Sequence, residues 1–110
     1  MSLDRIEKTM RAVGLCRKAG KLLIGTDAVC AALAERIKPC AVFAAEDNSE
    51  NTEKKLRDKC GFYRVELIRL PVSGEDLAHA IGKRARCAAV AVTDENLCRL
   101  VRSTLTDPEN

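Results

Sequence analysis

Apolar residues return along this chain at two different periods, and the switches between them mark out nine elements. Leu3, Ile6, Met10 and Val13 recur at helical spacing after a Ser2 cap, and Gly20 ends that helix. Leu22–Ile24 reads as a short buried strand. Gly25 and Thr26 open a second helix that reaches about Ile37, with Val29, Ala32 and Leu33 inward, and Pro39 stops it. Residues 41–45 form an apolar strand. Asp47 with Glu50 caps a third helix carrying Leu56 and Cys60, and Gly61 closes it. Residues 65–70 make a strand of imperfect alternation ended by Pro71. Ser73 and Asp76 have capping-box spacing ahead of Leu77, Ala78 and Ile81, which marks a fourth helix. Residues 87–92 are wholly apolar, as expected of a central strand covered on both faces. Thr93 or Asp94 caps a last helix bearing Leu97, Leu100 and Val101.

Five helices alternating with about four short strands predict the α/β class, as a three-layer α/β/α sandwich. The length of 110 residues allows one domain, over 1–105, with 106–110 as a polar tail. A composition that is 46% hydrophobic and 32% charged is that of a chain that folds by itself. Uncharged runs such as residues 87–93 are about a third of the roughly 20 residues needed to cross a bilayer, and residues 1–11 are charged. The expectation is therefore a cytoplasmic protein with no membrane partner, acting as a monomer.

The six cysteines stand at least ten residues apart, without the close pairs that zinc sites and thioredoxin-like motifs use. Cys16 shares a helical face with Met10 and Val13, and Cys60 follows Leu56 by one turn. Reduced core thiols are the expectation, with no metal and no cofactor. Catalysis lacks raw material: His79 is the single histidine, with only Glu75 and Asp76 near it along the helix. The stretch from Gly14 to Lys21 spaces its glycines one residue too far apart for a phosphate loop, and Leu22 stands where a magnesium-binding hydroxyl would be needed. No dinucleotide fingerprint is present.

Charge distribution says more than the net value of +3. Arg17, Lys18 and Lys21 form one cluster without an anion; Lys83, Arg84 and Arg86 form another. Between Glu46 and Lys59 the signs mix, as on a solvated helical face. Gly25, Thr26 and Asp27 lie where a strand gives way to a helix, so their backbone N–H groups face outward at a positive helix end. In a purely parallel sheet, that end and the Lys83 loop would emerge on opposite sides. A mixed sheet or a tilted helix is needed to join them.

Three strings, GLCRKAGKLLIGTDAV, AEDNSENTEKKLRDKC and LAHAIGKRARCAAVAVTD, occur in order between Met10 and Asp94. In sequence and spacing they resemble the YlxQ-type bacterial branch of the kink-turn RNA-binding ribosomal protein superfamily. The resemblance implies a three-layer fold and a single RNA-binding domain that recognises sharply bent RNA at tandem sheared G·A pairs. It implies that Gly25, Thr26 and Asp27 read the G·A edges, and that the loop through Gly82, Lys83, Arg84, Arg86, Cys87 and Ala88 packs against an extruded nucleotide. Arg17, Lys18 and Lys21 add positive charge. The implied partner is structured RNA, ribosomal RNA or the ribosome included.

The chain departs from the superfamily pattern at that helix start. Asp27 stands where Asn is common, Ala28 where Glu is common, and Ala31 where Lys is common. A carboxylate only accepts hydrogen bonds, so contact to guanine survives while contact to adenine weakens. Two other functions remain open at this level: an accessory RNA-presenting subunit of an RNA-modifying enzyme, and a thiol redox or metal sensor. Stacking of single strands is disfavoured, with Phe43, Phe62 and Tyr63 as the whole aromatic set.

Overall fold

The computed structural model describes residues 3–106, so the Ser2 cap and the tail beyond Thr106 lie outside the described residues. The elements follow in the expected order: α1 (Leu3–Lys18), β1 (Leu22–Ile24), α2 (Thr26–Leu33), β2 (Ala41–Ala44), α3 (Glu50–Tyr63), β3 (Glu66–Arg69), α4 (Gly74–Ala80), β4 (Ala89–Val92) and α5 (Glu95–Leu105). The strands form one sheet in the order β1-β4-β2-β3. β4 runs antiparallel to β1 and β2, while β2 and β3 are parallel. The sheet is mixed, and β4 and β2 occupy its centre.

Central position explains why those two strands are apolar at every residue, since each has a helical layer on both sides. Alternation sorts the side chains. Ala41, Phe43, Val90 and Val92 join Val13 and Cys16 of α1, Leu77 of α4 and Val101 of α5 in one core. Val42, Ala44, Ala89 and Ala91 join Val29 and Leu33 of α2 and Leu56 and Cys60 of α3 in the other. The result is the α/β/α sandwich, with α1, α4 and α5 on one face and α2 and α3 on the other. β3 lies at an edge, where Glu66 and Arg69 reach solvent, and its uneven alternation follows from that position. A buried hydroxyl joins α1 to α5: Thr9 Oγ1 donates to Arg5 O at 2.9 Å and lies 2.8 Å from Thr104 Oγ1.

β2, β3 and β4 are one or two residues shorter than the runs that predict them, β4 beginning at Ala89 rather than Cys87, and three helix boundaries differ from expectation. α2 stops at Leu33 rather than near Ile37: past it the chain tightens to i to i+3 bonds, from Ala34 N to Ala31 O and from Glu35 N to Ala32 O, Pro39 has no N–H to continue the ladder, and Lys38 Nζ donates to the carbonyls of Leu33 (2.9 Å) and Glu35 (2.6 Å). Ile37 is left exposed. Ser49, not Asp47, caps α3: its hydroxyl accepts from Thr52 N at 3.2 Å, and Asp47 turns elsewhere. Gly61 lies inside α3, which closes at Arg64 in the left-handed conformation (φ 60°). The remaining caps are as expected, with Ser73 Oγ accepting from Asp76 N and Asp94 Oδ1 from Leu97 N.

Candidate nucleic-acid interface

The antiparallel pairing of β1 with β4 brings two distant segments together. Ile24 pairs with Val90, and beyond it Gly25 N donates to Ala89 O at 2.9 Å. The start of α2 thus adjoins the loop that enters β4, which answers the geometric requirement left open by the sequence. Gly25 has φ 97° and ψ 152°, a region that only glycine enters without strain. α3, α4 and α5 begin with a side chain accepting a backbone N–H, whereas α2 begins at Gly25 with no side-chain cap. Asp27 therefore does not cap its own helix; its carboxylate is exposed, 3.9 Å from Lys55 Nζ of α3.

The loop over residues 82–88 is held by a network that spans the sheet end. Arg86 Nη2 donates to Asp47 Oδ1 (2.6 Å), Asp47 O (2.8 Å) and Asn48 Oδ1 (3.1 Å). Asp47 Oδ1 also accepts from Gly74 N at 2.8 Å. Those partners, the Gly74 amide foremost and then the Arg86 guanidinium, hold the Asp47 carboxyl below the usual carboxylate range. Asn48 Nδ2 and Ala45 N both donate to Ala88 O, and Cys87 N donates to Gly74 O. A Cβ on Gly74 would stand 2.7 Å from Arg86 Cγ, so the guanidinium crosses directly over a residue that has to be small. Lys83, Arg84 and Arg86 are all exposed, and Arg86 is in addition tied to the protein by these bonds. Cys87 is buried beneath the loop; burial pushes its thiol up, against hydrogen bonds with the backbone of Ala89 and Gly25.

The first basic cluster is divided. Arg17 Nη1 lies 3.5 Å from where a Cβ on Gly82 would stand, so this cation reaches the base of the loop. Lys18 instead rims a groove between α1 and α4, together with Met10, Leu15 and His79. Lys21 enters the far end of β1, where its carbonyl accepts from Thr93 N, roughly 13 Å of strand rise from Gly25. Sequence reasoning did not single out Asp47, Asn48 and Lys55 as site residues. The first was read as a helix cap, and the others fall in the mixed-charge stretch; their partners are too distant in the chain for any local pattern to reveal them.

All six cysteines are free. Among the described residues, no group of three or more His, Cys, Asp or Glu could hold a metal ion, and no helix is long and apolar enough to cross a membrane.

A three-layer sandwich that sets an uncapped, glycine-led helix start beside a basic loop defines a class of small α/β binding domain. The Ribosomal protein L7Ae/L30e/S12e/Gadd45 family model matches residues 7–101, and this chain belongs to that family. It is 37% identical over 93 residues to the RNA-binding protein YlxQ of Bacillus subtilis, covering 84% of this chain and 90% of that protein. With the RNA-binding protein YlxQ of Enterococcus faecium it shares 39% identity over 77 residues, 70% and 73% of the two chains. A Bacillus halodurans protein of unknown function has a similar solved structure, with TM-score 0.79 and 29% identity over 91% of this chain and 98% of that one. The fold is also that of a Giardia lamblia 15.5 kD RNA binding protein, with TM-score 0.72 and 15% identity over 96% and 88% of the two chains.

Proposed function

We propose that this protein is a non-catalytic, cytoplasmic RNA-binding protein that recognises kink-turn-type RNA with the start of α2 and the loop over residues 82–88. The observation that carries the reading is the Gly25 N to Ala89 O bond, which joins an uncapped helix start to a basic loop at one end of the sheet. Family membership and the RNA-binding names of its relatives supply the class of ligand. Gly25 lets an RNA backbone approach the helix closely, since no side chain projects there. The exposed Asp27 carboxylate accepts from guanine amino and imino groups. Lys83 and Arg84 meet phosphates, and Arg86 with Asp47 and Asn48 holds the loop in shape.

The test is a titration of a simple kink-turn RNA against a matched duplex lacking the G·A pairs, at two salt concentrations. The expected result is preference for the kinked RNA at both. Equal, salt-sensitive affinity for the two would remove kink-turn recognition and leave a general RNA binder.

A further inference from the structure

α2 presents an RNA-facing start that carries no cation of its own. Its sequence, TDAVCAAL, contains no Lys or Arg, and both Ala28 and Ala31 are exposed on it. The charge it does expose is the Asp27 carboxylate, which beside a polyanion is repelled. α3 lies alongside, packed against α2 through Val29, Leu33, Leu56 and Cys60. From its second turn Lys55 reaches toward the start of α2, and Nζ stands 3.9 Å from Asp27 Oδ1. The residues leading into α3 are tied to the basic loop as well, through the Asn48 bond to Ala88 O. Three segments thus border one surface: the start of α2, the loop over 82–88, and the first turns of α3.

We propose that Lys55 is a further RNA-contacting residue, a cation supplied from α3 that neutralises Asp27 and takes a phosphate of the strand passing the start of α2. This rests on the RNA-binding reading above. Both partners of the pair are exposed, so the pair contributes little to folding and is free to exchange or share partners. An ammonium is a compact charge on a flexible stem with three donors, so it can bridge a carboxylate and a phosphate together. The neighbouring Lys54 makes the natural comparison: it carries the same charge on the same helix but is engaged with Asp58 Oδ2 at 2.8 Å.

The experiment measures the affinity of the wild-type protein, Lys55→Ala, Lys54→Ala, Asp27→Asn and Asp27→Asn with Lys55→Ala for a kink-turn RNA across a salt series. Thermal melts confirm that each variant is folded. The expected result is that Lys55→Ala weakens binding several-fold and lowers the slope of log affinity against log salt by about one, with Lys54→Ala close to wild type. The Lys55→Ala loss should shrink in the Asp27→Asn background, because no bare carboxylate then faces the RNA. Equal effects of Lys55→Ala and Lys54→Ala, or the same Lys55→Ala loss in both backgrounds, would overturn the proposal. Absence of RNA binding by the wild type is a different result: it removes the RNA reading itself, and this inference falls with it.

Discussion

Gly25 and Gly74 are both required at the candidate interface, for different physical reasons. At Gly25 an added Cβ would meet no atom within 4 Å, but φ 97° with ψ 152° lies outside the regions open to L side chains. Gly25→Ala should therefore cost about 1–3 kcal/mol through backbone strain alone. A urea melt checks this, and an unchanged midpoint would show that the start of α2 relaxes freely. Gly74 makes the opposite case, with an ordinary backbone but the Arg86 side chain 2.7 Å from any Cβ it might carry. A methyl there would push a flexible guanidinium off Asp47 rather than strain the chain. Gly25 was legible in the sequence as a strand-to-helix junction. Gly74 was not, because its neighbour stands twelve residues further along and meets it only after β4 has entered the sheet.

The loop over residues 82–88 divides its basic residues between two tasks. All three are exposed, but Arg86 also makes three hydrogen bonds to Asp47 and Asn48. Replacing Lys83 and Arg84 together with Ala should flatten the salt dependence of RNA affinity, by about one unit of slope for each phosphate contact removed. Arg86→Gln should weaken binding while leaving that slope near the wild-type value, since it frees the loop without removing a phosphate contact. A slope that falls equally in both variants would place the Arg86 guanidinium on the RNA. As sequence, the three cations form one anion-free cluster, and nothing local separates them. Their division comes from Asp47, which a helix-capping pattern assigns to α3 but which the structure gives to the start of α4.

Across the whole molecule, the six thiols lie on both sides of the sheet without pairing. Burial pushes Cys16 from 9.0 up to about 11, and does the same for Cys60. Between those two values the native state retains protons that the unfolded chain has lost. Stability should then be fully present below about pH 9 and decline toward pH 11. Urea denaturation at pH 8, 9 and 10.5, run beside a Cys16→Ala, Cys60→Ala variant, isolates this contribution from other alkaline titrations. Parallel pH profiles for the two proteins would show that these thiols ionise as readily in the fold as outside it.

Element order, fold class and the apolar character of the two central strands were all set by local pattern, because hydrophobic period and cap chemistry act within a few residues. The start of α2 and the basic loop could be singled out for the same reason. Whether the two would ever meet was decided by the antiparallel seating of β4 between β1 and β2, a non-local choice that no short-range period encodes. That seating divides the Arg17 to Lys21 cluster, brings Arg86 onto Asp47, and leaves room for α3 to carry Lys55 to Asp27. Side chains separated by 28 or 39 residues are brought within bonding distance only once the sheet has closed and both helical layers have packed onto it.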